Sequence, residues 1–152
     1  MRMKKTPIWC LILIIFGVVF FLIHGLSWSD SSYPAMDYRI VWAINQAKAI
    51  MTLVDADAGN YDELNCGHAD MKALCEEIDK MYWAMDGKEP VIVHDVAFNS
   101  QTICIYSPLN REGYWYCIDS MGNTGYSSID PGSSGYCVEG ESAVCPPLDL
   151  DM

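Results

Sequence analysis

The chain has 152 residues, nine basic against 20 acidic side chains, and a formal charge of −11. Every acidic residue lies beyond Leu26, opposed there only by Arg39, Lys48, Lys72, Lys80, Lys88 and Arg111, so this part carries about −14. A surface of that sign repels phosphate backbones and anionic headgroups, so no direct nucleic-acid binding is expected, and about 120 residues suffice for one modest core rather than two.

The first element is an apolar run, Ile8 to Leu26, behind Arg2, Lys4 and Lys5. It has no charged residue between Ile8 and Ile23. At 1.5 Å of rise per residue, about 20 such residues cross the hydrocarbon of a bilayer. Positive charge ahead of the run and none close behind it places the N-terminus in the cytoplasm and everything after Ser27 outside. A cleaved signal has a shorter apolar middle of about 7–15 residues, so the run reads as a retained anchor in preference to a cleaved leader, for which Gly25-Leu26-Ser27 is a weak small-residue site without an Ala-x-Ala pattern. Cys10 lies inside it as a small apolar filler. The division expected is a basic start (1–7), a transmembrane anchor (8–26), a linker (27–35), an extracytoplasmic domain (36–147) and a tail (148–152). The localisation expected is a cytoplasmic membrane, single-pass, with the N-terminus inside and the domain outside.

Six cysteines follow the anchor: Cys66, Cys75, Cys104, Cys117, Cys137 and Cys145. An even number in a small exported domain points to three disulfides. No pair has the Cys-x-x-Cys spacing of a closed zinc site, and no metal or cofactor is expected.

After the linker, with Trp28 and Tyr33 suited to a membrane interface, apolar residues recur at helical spacing: Met36, Ile40, Ala43, Ile44, Ala47, Ile50, Met51 and Val54. Pro34 is compatible with a helix that starts just after Tyr33. Gly59 and Asn60 are natural helix ends. The acidic run Asp55 to Asp62 departs from a calcium loop, having Gly59 at the fifth position and Cys66 at the twelfth. A second helix is expected from about Ala69 to Met85, burying Met71, Leu74, Cys75, Ile78, Met81, Tyr82 and Met85, opened by Asp70 near the positive end of the dipole and closed by Gly87.

Beyond Pro90 the pattern turns to strands. Val91–Val96 is β-branched, and Thr102–Tyr106 and Tyr114–Asp119 flank a turn-rich stretch, which reads as a β-hairpin. A symmetric turn places Cys104 opposite Cys117 and gathers Ile103, Ile105, Tyr116 and Ile118 on the other face, against the first helix. The Gly-, Ser- and Pro-rich stretch from Met121, with strand-like pieces near Tyr126 and Tyr136, cannot build a core unaided, so Cys137 and Cys145 must tie it down. Sequence proximity and hairpin symmetry suggest the pairs Cys66–Cys75, Cys104–Cys117 and Cys137–Cys145. The fold class expected is α+β: an N-terminal transmembrane helix and an amphipathic helix packed on a small antiparallel sheet, stabilised by disulfides.

Catalytic patterns are weak. Cys66 with His68 would need a free thiol, and Ser120 beside Asp119 has no histidine base. Neither Gly-x-Ser-x-Gly nor a carboxylate pair is present, and no catalytic residue is assigned. A membrane-tethered extracytoplasmic binding or adhesion module is one class the residues allow, with Tyr114, Trp115, Tyr126 and Tyr136 as its contact aromatics.

The order of elements resembles a bacterial type IV pilin or pseudopilin. The helix segment Ile44–Ile50 followed by Asp57-Ala58-Gly59-Asn60-Tyr61-Asp62 is similar to the helix end and turn of that family. Ser107-Pro108-Leu109 and then Gly113-Tyr114-Trp115-Tyr116-Cys117-Ile118-Asp119-Ser120-Met121-Gly122 resembles its Pro-Leu strand and Tyr-Trp-Cys-Val-Asp-Ser-Thr-Gly turn. Within that motif Tyr114, Trp115, Cys117, Asp119, Ser120 and Gly122 carry the likeness. The resemblance implies a non-enzymatic subunit of a type IV pilus or type II secretion-like assembly, bound to the bilayer through residues 8–26 and to other pilin-like subunits or assembly-machine proteins. It also implies the pairs Cys66–Cys104 and Cys117–Cys145, with Cys75–Cys137 added. The chain departs from the family at its start. Nothing around Thr6-Pro7-Ile8-Trp9 matches a Gly-Phe-Thr-Leu-Ile-Glu-like peptidase site.

Overall fold

Residues 33–82, 89–95 and 101–149 are described by the computed structural model. The anchor expected at 8–26, the basic start and most of the linker lie outside the described residues, as do Met85, Gly87 and Val96. Among the described residues, no helix is long and apolar enough to cross a membrane.

The first helix, α1, spans Tyr33–Ala58. Its 26 residues make it about 39 Å long at the usual rise. Pro34 falls in the first turn, where a missing N–H costs no intrahelical bond. Ile40, Ala43, Ile44, Ala47 and Met51 are buried along one stripe, flanked by half-buried Ile50 and Val54. Gly59 ends the helix with φ +69°, its N–H returning to the Asp55 carbonyl at 2.9 Å. That left-handed turn suits glycine.

The second helix, α2, spans Ala69–Met81 and buries Met71, Cys75 and Ile78. His68 caps it by accepting the Asp70 N–H on Nδ1 at 3.3 Å, and Asp70 sits in the first turn where the dipole favours an anion. It ends four residues short of the Met85 end expected. Tyr82 leaves the helix in an extended conformation and sends its hydroxyl to Ser107 Oγ and the Pro108 carbonyl. The Met81 carbonyl is taken by Asn110 Nδ2 at 3.2 Å. Tertiary hydrogen bonds thus replace the last helical turn.

Four antiparallel strands follow in sequence order: β1 (Val91–His94), β2 (Ile103–Pro108), β3 (Trp115–Asp119) and β4 (Thr124–Ser127). Ile103 and Ile105 from β2, with Tyr116 and Ile118 from β3, face α1 and α2 in the larger core, as their alternation requires. The hairpin register differs from a symmetric turn by two residues. Cys104 lies opposite Asp119, and Tyr106 opposite Cys117. The ladder continues through Ser107 and Pro108 and closes with Leu109 N–H to the Tyr114 carbonyl at 2.9 Å. A shift of two keeps every side chain on its face, so the apolar set is unchanged while the cysteine pairing moves.

The other face of the sheet is also covered. Val93, Cys104, Tyr106 and Cys117 form a second core with Cys137, Ala143 and Cys145 from the tail, backed by Trp115 and Leu148. Near Tyr136 there is no strand, only the bridge Val138–Ser142. The molecule is therefore layered as helices, sheet and tail. Its disulfides are Cys66–Cys75, Cys104–Cys137 and Cys117–Cys145, with Cα separations of 5.8, 5.8 and 5.9 Å. Each expected scheme supplies one of these pairs, Cys66–Cys75 from proximity and Cys117–Cys145 from the resemblance. Cys104–Cys137 belongs to neither, and it follows from the tail lying across β2.

Candidate functional site

The last residues of the Tyr114–Gly122 motif, Asp119, Ser120 and Gly122, meet at one structural junction. Asp119, at the end of β3, is 1% exposed. Its Oδ1 accepts the Asn123 N–H at 2.9 Å, and its Oδ2 accepts Asn123 Nδ2 at 2.7 Å and the Cys145 N–H at 2.9 Å. One buried carboxylate therefore closes the β3–β4 turn and holds the tail against the sheet. Three N–H donors take the place of the water it gave up. Ser120 pairs with Ile103 on both sides: its N–H donates to the Ile103 carbonyl at 3.0 Å and its Oγ accepts the Ile103 N–H at 3.2 Å. Gly122 supplies the turn with φ +99°, a backbone state an L side chain rarely adopts.

The aromatic residues of the same region are engaged in packing. Tyr114 lies beneath the Arg111 guanidinium, 4.2 Å from the ring centre. Trp115 rests on the tail core. Tyr126 meets Tyr116 edge-on at 5.0 Å. Tyr136 is half-buried in the tail. The contact surface expected of Tyr114, Trp115, Tyr126 and Tyr136 is thus half-buried. The residues weighed for chemistry are likewise committed: Cys66 is bonded to Cys75, His68 caps α2, and His94 Nε2 lies 2.8 Å from the Leu64 carbonyl. The acidic run begins on the last turn of α1, with Asp55, Asp57 and Asp62 exposed.

Three of the exposed large apolar residues lie together on α1, whereas Val91, Met121 and Ile129 are scattered singly over the strands and turns. Tyr38 is 70% exposed, Trp42 50% and Leu53 65%. At 100° per residue these three and exposed Ala49 fall within about 60° of arc, on the side opposite Ile40, Ala47 and Met51. The helix has two apolar faces, one in the core and one outward. Its flanks are pinned by polar contacts that leave this face clear. Asp37 accepts from Asn110 N and Nδ2 at 2.7 and 2.9 Å, Arg39 pairs with Glu77, and Lys48 Nζ donates to Thr124 Oγ1 at 2.7 Å. In the sequence the outward face is a second set of positions, 38, 42, 49 and 53, interleaved with the core stripe and less apolar than it.

Burial moves one titrating group far from its ordinary range. The Tyr82 hydroxyl, desolvated at the α2–β2 junction, is pushed up to about 12, with the Ser107 hydrogen bond opposing and the Asp37 charge adding to the rise. No family model, curated protein or solved structure matches the chain.

Proposed function

We propose that the chain is a non-enzymatic pilin-like or pseudopilin-like subunit. Residues 8–26 hold it in the cytoplasmic membrane, the acidic head stands outside, and the outward face of α1 meets other pilin-like chains of the same assembly. The observation that carries the reading is the two-faced helix: α1 closes the core with Ile40, Ile44 and Met51 while presenting Tyr38, Trp42 and Leu53 to solvent. Aromatic side chains in an exposed apolar stripe are common anchors of protein contacts. The order of long helix, disulfide-bearing loop with a shorter helix, antiparallel strands and disulfide-bound tail supports the same reading through the resemblance.

The test uses the full chain in its native membrane. Photo-cross-linkers placed singly at 38, 42 and 53 are expected to trap a second pilin-like chain, whereas exposed positions in the tail layer, such as Glu139, are expected to trap none. Recovery of monomer alone from all positions would contradict the proposal. A second reading, a tethered module that never enters a filament, draws on the departure of Thr6-Pro7-Ile8-Trp9 from the family's peptidase-site pattern. Mass spectrometry of the mature N-terminus separates the two. A trimmed, methylated start accords with filament assembly, and an intact Met1 with the tethered module.

A further inference from the structure

The two disulfides that bind the tail to the sheet lie against one another. Cys104 Sγ is 3.4 Å from Cys117 Sγ and 4.0 Å from Cys145 Sγ, and Cys117 Sγ is 3.6 Å from Cys137 Sγ. All four sulfur atoms fall within 4.8 Å of one another. Paired as disulfides they offer no thiolate to a metal, but each sulfur touches a sulfur of the other bridge. Burial is uneven: Cys104 and Cys117 are 0% exposed, Cys137 1% and Cys145 6%. Cys145 is the least buried of the four.

We propose that this cluster is a thiol–disulfide exchange site, attacked at Cys145 by a small or protein thiolate, through which the tail swaps its two attachment points on the sheet. The external thiolate bonds to Cys145 Sγ, breaking Cys117–Cys145 and releasing Cys117 as the thiolate. Cys117 attacks the neighbouring Cys137 Sγ, forming Cys117–Cys137 and expelling Cys104. Cys104 then attacks Cys145 in the mixed disulfide, forming Cys104–Cys145 and returning the external thiolate. Two disulfides enter and two leave, with no net oxidation and one catalytic thiolate. The alternative product, Cys104–Cys117, is disfavoured by register. Cys104 stands opposite Asp119, so the two cysteines are diagonal neighbours, which lie about 7–8 Å apart and beyond the usual reach of a bridge. The swapped pairs join sheet to tail as the original pairs do.

The experiment uses the oxidised full chain in detergent with Cys10→Ala, exposed to a monothiol too dilute to reduce it, then acid-quenched. Cleavage at acidic residues separates the partners, because Glu112, Asp119, Asp130, Glu139 and Glu141 lie between successive cysteines from Cys104 to Cys145. Peptides joining Cys104 to Cys145 and Cys117 to Cys137 are expected to rise together in equal amounts, with Cys66–Cys75 intact. Their rate should increase about tenfold per pH unit below the thiol's own pKa. Retention of the original pairs alone, or bridges from Cys66 or Cys75 into the tail, would overturn the proposal. A second measurement needs no external thiol. In Cys137→Ser, alkylation is expected at both Cys104 and Cys117, as the lone thiolate exchanges through Cys145. Label at Cys104 only would overturn it.

Discussion

The two faces of the sheet are covered by different means. On the inner face, α1 and α2 bury Ile40, Ile44, Met71 and Ile78, with Leu64 from the loop between them, against Ile103, Ile105 and Ile118, an aliphatic core mostly on regular elements. On the outer face, a tail with little regular structure is held by two disulfides, the Asp119 carboxylate and a few apolar groups such as Ala143 and Leu148. The inner layer is stabilised by area removed from water. The outer layer lacks that area, and covalent links that restrict the unfolded chain supply what burial does not.

That contrast can be broken first at the disulfides. The double substitution Cys117→Ala with Cys145→Ala removes a link across a separation of 28 residues, and it is expected to lower stability by about 3–4 kcal/mol in urea unfolding. Amide exchange should rise through the tail while α1 stays protected. Equal loss of protection in both layers would show that they are one cooperative unit. The carboxylate comes next. Asp119→Ala leaves the Cys145 and Asn123 donors without their acceptor and is expected to cost about 2–3 kcal/mol by the same unfolding measurement.

A third prediction concerns the seam between α2 and β2. The Tyr82 hydroxyl is raised from 10.0 to about 12 by burial, so between those values the unfolded chain ionises first. Stability from this group is fully present below pH 10 and declines as pH rises towards 12, by about 2–3 kcal/mol. Tyr82→Phe should flatten this part of the pH dependence, measured as the urea midpoint from about pH 9 to 11.5. The smallest expected effect is at the outward face of α1. Trp42→Ser should change stability by about 1 kcal/mol or less, because half of the residue is already exposed, yet it should abolish cross-linking from position 38.

The same contrast explains what is legible in the sequence. The stripe from Ile40 to Met51 repeats with the helical period, and the Ile103/Ile105 and Tyr116/Ile118 alternation marks the inner face, so the larger core follows from periodicity. Periodicity does not report register. A turn that closes at Leu109–Tyr114, two residues away from the symmetric pairing, leaves the faces intact and parts Cys104 from Cys117. The tail carries no period at all, and its path across β2 is what selects Cys104–Cys137. The end of α2 is hidden for a similar reason, since Tyr82 follows partners at Ser107 and Pro108 that are distant in sequence. The motif around Asp119 is visible as a pattern, but its role as the tail's clamp requires Cys145 to be beside it. The outward face of α1, at positions 38, 42, 49 and 53, obeys the same helical period as the core stripe. Periodicity alone does not say that a helix carries two apolar faces, because the stronger stripe, from Ile40 to Met51, dominates the pattern.

The proposed function depends on an oxidised head carried beyond the reducing cytosol, and the number of free thiols tests this most directly. The full chain, alkylated in intact cells and weighed whole, is expected to carry no label on its six outer cysteines before reduction and six after it. Labels on those six before reduction would contradict it.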